Sequence, residues 1–305
     1  KETINKLKSK KYLIDKNIDL ILGGDLINQE IISTFVMRDF DIPFIGLFGA
    51  CSTFGLATII GSVFIESSAA KRVIALASSH TQTAERTFRY PIEYGGAKED
   101  STTLTVTGCG AMLLSNKKSK IKVAGATIGK VFDFDYKNSF DLGGAMAPSA
   151  IETLLTHFDD FKRKPSDYDL ILTGDLSQIG FSVVSTALND KYENVKNYDD
   201  CGLIVYDYFT QKVFSGGSGC GCSAVVTCGY IKEKLLYLGK NTLGIYIISS
   251  IIHPYILPMF TNNLSNINYL FICIETIIIL VISITTIELI KKNKLLSKYL
   301  LGEKT

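Results

Sequence analysis

Cys51 stands in the run Gly49-Ala50-Cys51-Ser52-Thr53, between two apolar stretches. The first, residues 42–48, lacks polar alternation and reads as a buried strand; the second, residues 54–65, reads as a buried helix. A cysteine at such a strand-to-helix turn sits at a helix N-terminus, where backbone N–H groups and the helix dipole favour the thiolate. The competing assignment is a small core residue, the commonest fate of a free cysteine. Two other reactive side chains close apolar runs in the same way. Asp25 follows residues 18–22 and a Gly-Gly pair, and His80 follows residues 72–77 and a Ser-Ser pair. Functional groups of open α/β sheets gather at the carboxyl ends of strands, so Asp25, Cys51 and His80 are expected to converge on one pocket. The polar segment 81–101 adds Arg86, Arg89 and Tyr90, together with Tyr94, as cationic donors and an aromatic wall. Those arginines could as well face solvent or pair with Glu85 or Glu93.

The elements that must position these groups follow from periodicity. Residues 1–16 read as a short helix or helix end, and residues 28–37 as an amphipathic helix. With the runs above, this gives strand–helix–strand–helix–strand, the pattern of a parallel or mixed sheet with helices on its faces. Strand character returns at 104–106 and 111–114; residues 121–134 read as a strand or hairpin, and 149–158 as a helix. The chain then repeats itself. Asp19-Leu-Ile-Leu-Gly-Gly-Asp25-Leu recurs as Asp169-Leu-Ile-Leu-Thr-Gly-Asp175-Leu, and Ala50-Cys51-Ser52 is echoed by Gly221-Cys222-Ser223. A repeat of this length means two related α/β halves, about 1–150 and 151–235, rather than an array. Asp25 and Asp175, at matching turns, read first as Asx-turn or helix-capping residues.

The 305 residues carry a net charge of only +2 and no basic block, which argues against nucleic acid as a partner. The seven cysteines suggest reduced thiols in a cytoplasmic compartment. Cys220-Gly-Cys222 lacks a second ligand pair at finger-like spacing, so no metal is expected. The chain opens at Lys1 on what reads as the tail of a helix, and the strand expected after the second repeat is absent. The terminal strands of the fold are therefore expected to be missing. Residues 238–260 and 269–290 are apolar, each near the ~20 residues that span a bilayer. Lysines lie before the first run and after the second, so residues 236–305 are expected to form a two-helix transmembrane hairpin with both ends cytoplasmic.

Several of these segments resemble a known family. At Gly49-Ala-Cys51-Ser-Thr the chain resembles the thiolase-like superfamily, and within it the stage V sporulation protein AD family. The resemblance rests on Gly24-Asp-Leu-Ile-Asn-Gln29, Gly46-Leu-Phe-Gly-Ala-Cys-Ser-Thr53 and the segment 78–96. It extends through Gly143-Gly-Ala-Met-Ala-Pro148, Thr173-Gly-Asp-Leu176 and Gly216-Gly-Ser-Gly-Cys-Gly-Cys-Ser-Ala-Val-Val-Thr227, covering about residues 10–235. It implies a duplicated thiolase-like α/β fold with mixed sheets and helical layers. It also implies a non-catalytic role: binding dipicolinic acid, with calcium, for its loading into the developing spore beside a membrane channel. The ligand set would then be Asp25, Gln29, Cys51, His80, Arg86, Arg89 and Tyr90. The partners would be other spore membrane channel subunits, and the location the cytoplasmic face of the forespore or spore inner membrane. From residue 236 the chain instead resembles the last two helices of an integral-membrane acyltransferase family, through Tyr237-Leu-Gly-Lys-Asn-Thr-Leu-Gly-Ile-Tyr246.

Two other readings compete with the binding role. In an acyl-transfer enzyme, Cys51 would attack a thioester and a histidine would move the proton. Of the three histidines only His80 is well placed for that, and the second half offers Cys220 and Cys222 where a thiolase carries another histidine. In a nonfunctional hybrid, the soluble half could not close its sheet, and its open edges would invite aggregation.

Overall fold

Side-chain alternation builds the central sheet. Strand β1 (Leu20–Gly24) is buried along its whole length, because helices cover both faces of the sheet it belongs to. It lies between β2 (Phe44–Gly46) and β3 (Arg72–Ser79), parallel to both, and β3 pairs antiparallel with β5 (Gly108–Ser115), giving the order β2-β1-β3-β5. The period of two sends Ile21, Ile74 and Leu76 to one face, where they pack with Ile4, Leu7 and Met37. Those partners come from α1 (Glu2–Lys8) and α2 (Ile31–Met37). Leu20, Leu22, Val73 and Ala75 point the other way, onto Ala57 of α3 (Thr53–Glu66). The description covers a computed structural model of residues 1–9, 17–88, 98–119, 121–231 and 269–292.

The second half is organised around helices α5 (Leu142–Phe161) and α6 (Ser177–Lys191), packed through Ala147, Phe158, Val184 and Leu188. Beside them β6 (Ile171–Thr173) pairs parallel with β7 (Tyr198–Asp200), and α7 (Cys201–Ile204) follows at once. β8 (Gly217–Ser218) pairs parallel with β4 (Leu104–Thr105), so the two halves share a ladder. Helix α8 (Cys220–Val225) then enters the molecule against the end of β3. The Gly221 amide donates to Ser79 Oγ at 3.1 Å, Ser79 Oγ donates to the Val106 carbonyl at 2.6 Å, and Cys220 Sγ donates to the Ser78 carbonyl at 3.0 Å. α4 (Thr81–Phe88) follows β3 directly.

Several sequence expectations are corrected. Residues 42–48 yield only the three-residue β2, which lies at the sheet's edge with Ile45 exposed rather than buried on both faces. The helix expected from residue 28 begins as a 3₁₀ turn and is kinked by positive φ at Gln29 (64°) and Glu30 (52°). Residues 121–134 form neither strand nor hairpin; Lys120 and its surroundings aside, the stretch is irregular, with Ile128, Val131 and Phe134 exposed. α5 starts seven residues earlier than its periodicity suggests, because Asp141 caps it by accepting the Gly144 amide at 2.8 Å.

The chain divides into two compact units, Lys1–Ile231 and Lys232–Thr305. The transmembrane hairpin expected in the second is not supported, because among the described residues no helix is long and apolar enough to cross a membrane. Its first run lies outside the described residues. Its second contributes α9 (Tyr269–Lys291), in which Ile279, Ser283 and Ile287 are buried at four-residue spacing while Val281 and Leu289 are exposed. A buried stripe of that period is how a helix packs on protein, and Ile-rich composition by itself does not separate the two cases.

Packing of α3 on the sheet requires a glycine. A Cβ on Gly61 would lie 2.7 Å from Leu114 Cδ1, 3.3 Å from Val73 Cγ1 and 3.4 Å from Leu22 Cδ1. Gly61→Val is therefore expected to destabilise the first unit by about 1–3 kcal/mol through overpacking, read as a lower urea midpoint with unchanged slope.

Candidate functional site

The backbone around Cys51 is bent to aim it. β2 ends at Gly46, and a 3₁₀ turn (Ala50–Ser52) leads into α3, with Ala50 held at φ 45°. Thr53 fixes the turn by accepting the Gly49 amide at 3.1 Å and donating to the Ala50 carbonyl at 2.8 Å. Cys51 is half-buried at this turn, and the groups that act most strongly on its thiol are the Asp175 carboxylate, the Cys220 thiol and the Gly219 amide. Burial and that carboxylate push the thiol well above its ordinary range, and the opposing pull of the Gly219 amide is weaker. The expectation of a helix-stabilised thiolate is thus reversed. Desolvation and a neighbouring carboxylate outweigh a dipole that acts only over the first turn.

Asp175 follows β6 and is buried. It accepts the Gly219 amide at 2.7 Å and the Ser218 hydroxyl at 3.3 Å, and burial raises its carboxyl to about 6. It does not hold its own turn as expected. That work falls to Asp200 at the end of β7, which accepts the Leu176 and Ser177 amides at 2.9 Å each. Asp200 also accepts the Gly202 amide at 2.8 Å and the Thr173 hydroxyl at 2.6 Å. In the first half Asp25 does hold its turn, accepting the Ile27 amide at 2.8 Å, the Ser33 amide at 2.7 Å and the Ser33 hydroxyl at 2.6 Å. The two repeated aspartates have therefore diverged. Asp25 is tied up in its own turn, whereas Asp175 accepts from the Ser218 hydroxyl and the Gly219 amide.

The remaining residues named from sequence are scattered in their roles. The parallel arrangement of β1, β2 and β3 does put Asp25, Cys51 and His80 at one edge of the sheet. Their side chains differ there: Asp25 is buried in its turn, Cys51 is half-buried, and His80 is exposed. Gln29 is exposed in the kink before α2. Arg86 belongs to α4, but its side chain, like Arg89 and Tyr90, lies outside the described residues.

Sequence reasoning missed three members of this region. Glu30 is buried with its carboxyl group laid over Gly24 and Gly46, raised first by burial and then by Asp25. Asp200 and Cys201 had no motif to flag them. The Cys220 thiol is raised to about 12 and those of Cys201 and Cys222 further still, each mainly by burial. No disulfide joins the described cysteines, and no group of three or more His, Cys, Asp or Glu side chains among the described residues could hold a metal ion. The available chemistry is that of a neutral thiol and a proton-binding carboxylate, set between glycine turns.

Comparisons with known proteins agree with this geometry at the level of family and fold. The family model described as stage V sporulation protein AD (SpoVAD) matches residues 1–249. The stage V sporulation protein AD of Bacillus subtilis (strain 168) is 44% identical over 254 residues, covering 83% of this chain and 75% of that protein. Among solved structures, a 3-oxoacyl-(acyl-carrier-protein) synthase III aligns with a TM-score of 0.51 at 9% identity, over 76% of this chain and 75% of the other. OleA of Xanthomonas campestris, bound with cerulenin, gives 0.51 at 11% identity, over 76% and 70%. At such identities the likeness is one of fold, a thiolase-like mixed α/β architecture. The resemblance of residues 236–305 to a membrane acyltransferase finds no support, and the family match itself continues through residue 249.

The raised Asp175 carboxyl carries a pH signature. Its folded value of about 6 lies above the ordinary 3.8, so the folded state holds this proton more tightly than the unfolded state. Its contribution to stability is complete below the unfolded value and is lost as pH rises through about 6, a swing of about 3 kcal/mol. Asp200 is shifted in the same direction. Urea unfolding of Asp175→Asn, set against the parent chain at about pH 4.5 and about pH 7, should show the variant gaining relative stability at the higher pH. A difference independent of pH would contradict the assignment.

Proposed function

This chain belongs to the stage V sporulation protein AD family, and on that premise we propose that it binds dipicolinic acid, as the calcium complex, for loading into the developing spore, and that it does so without catalysis. The observation that carries the reading is the match to this family over residues 1–249, with a Cys51 thiol whose burial opposes ionisation beside it. An acyl-transfer nucleophile needs a base to remove its proton or a cation to stabilise its thiolate. Burial first, and the Asp175 carboxylate next, oppose ionisation of the Cys51 thiol. His80 is exposed. His157 is engaged elsewhere, between Thr127 Oγ1 at 3.0 Å and the Tyr168 hydroxyl at 3.1 Å.

The acidity of the region bears on the form of the ligand. Free dipicolinate is a dianion and would be repelled by Asp175 and by nearby Asp25 and Glu30, none of which is neutralised by a cation in the hydrogen bonds described above. The calcium complex is neutral overall and escapes that penalty. Arg86 and Arg89 supply the cationic residue types suited to ligand carboxylates, with Tyr90 as an aromatic wall. Other channel subunits at the forespore membrane would be the partners, and their surface rather than a hairpin of this chain would bring it there.

Calorimetric titration of the full chain with dipicolinate, with and without calcium, tests this reading. Binding should be tighter by at least about tenfold with calcium. Cys51→Ser should retain most of the affinity, Cys51→Phe should abolish it, and Arg86→Ala or Arg89→Ala should weaken it by about 1.5–3 kcal/mol. Absence of binding heat, together with a stable acyl adduct on Cys51 after incubation with acyl-CoA, would favour acyl transfer instead.

A further inference from the structure

We propose that residues 121–134 are a docking strand for a second copy of this chain, which pairs antiparallel with the same residues across a two-fold axis. The stretch joins no ladder, yet it lies on α5 at a regular pitch. A Cβ on Gly125 would collide with the Phe161 ring, and one on Gly129 with Thr153 Oγ1. Between them Thr127 Oγ1 lies 3.0 Å from His157 Nδ1 and donates to Asp160 Oδ2 at 3.3 Å. Two residues of the strip thus cover four of the helix, about 6 Å, which takes about 3 Å per strip residue and approaches the rise of a strand. Alternation then turns Gly125, Thr127 and Gly129 towards α5 and Ile128 outwards, where it is 77% exposed. Lys130 fastens the same strip through its ion pair with Glu152 at 3.8 Å.

Extended chain laid on a helix has two open edges. Among the described residues, none makes a hydrogen bond to the backbone of residues 121–134. Such a row of unpaired N–H and C=O groups is a template for another strand. Ile121, Val123, Val131, Phe132 and Phe134 are exposed along it as well, and contiguous apolar exposure of this kind marks an interaction surface.

The order of charges selects a second copy as the occupant. Lys117, Lys118 and Lys122 lead into the strip, and Asp133 and Asp135 close it. Lys130 and Lys137 are taken by Glu152 and Asp135 of their own chain. An antiparallel copy therefore sets the basic end of one strip against the acidic end of the other, whereas a parallel copy sets like against like. Directly opposed residues of an antiparallel pair share a face, so the two-fold axis must fall on a residue. With Ile128 on that axis, Val131 stands opposite Gly125 and Phe132 opposite Ala124, large side chains against small ones.

Sedimentation velocity of the full chain from about 1 to about 100 µM is the first measurement, and the mass should climb from one chain towards two. A chain that stays monomeric throughout would overturn the proposal. Ile128→Cys, oxidised with diamide, should give a disulfide-linked dimer, because opposed Cβ atoms come within about 5 Å. Val63→Cys, on the exposed side of α3, is the control for random collision, and the parent chain gives the background of the native cysteines. Cross-linking of Ile128→Cys no greater than in these two controls would overturn the proposal. Successive amides of a strand leave from opposite edges, so one of Ala126→Pro and Val131→Pro removes an amide turned to the partner. That variant should weaken association by at least about tenfold. A dimer that neither proline weakens is built on another face, and the proposal then fails.

Discussion

Burying a carboxylate opposes folding more strongly than burying almost any other group, and this protein does so at Asp25, Glu30, Asp141, Asp175 and Asp200. Asp175 and Asp200 both lie in the interior, and the desolvation that raises their affinity for protons is only partly offset by hydrogen bonds. Among the described residues no arginine or lysine is paired with either. Backbone amides supply the compensation: those of residues 176, 177 and 202 for Asp200, and that of Gly219 for Asp175. The loops between β6 and α6, and between β8 and α8, are shaped by the need to deliver those donors.

The layers around the joint make such delivery possible. The alternating side chains of β1 and β3 seat helices on both faces of the sheet, which fixes where the carboxyl ends of the strands open. β8 pairs with β4, and the amide at the start of α8 reaches Ser79 at the end of β3, so the second half's glycine turn is registered against the first half's strands. With that register set, Gly221 of the second half meets Ser79 of the first although they are separated by more than a hundred residues.

The same architecture is found in condensing enzymes, as the likeness to a 3-oxoacyl-(acyl-carrier-protein) synthase III indicates. Fold therefore leaves the chemistry open, and the local field around the thiol decides it. A carboxylate beside a thiol disfavours exactly the species that attacks a thioester, whereas it leaves the S–H available as a donor.

How much of this was legible beforehand can be read residue by residue. Local periodicity determined β1, β3 and α3, and the recurrence of the Asp25 segment at Asp175 declared the duplication, because both signals lie in neighbouring residues. The position of Cys51 at a strand-to-helix turn was likewise local. The kink at Gln29 and Glu30 was hidden, since left-handed backbone in non-glycine residues is imposed from outside. Residues 121–134 showed strand-forming composition but find no ladder to join, and the apolar run of α9 looked lipid-facing although it buries a stripe. The exchange of duty between Asp175 and Asp200 could not be read at all. It depends on β6 pairing with β7 and on α8 docking at the end of β3, contacts between distant segments that no local pattern encodes. The sequence by itself determined which residues could do chemistry and the elements that carry them. Tertiary structure alone decided that Asp200 would hold the turn at residues 176–177 while Asp175 accepts from Ser218 and Gly219, because the partners of a buried group are set by what packs against it.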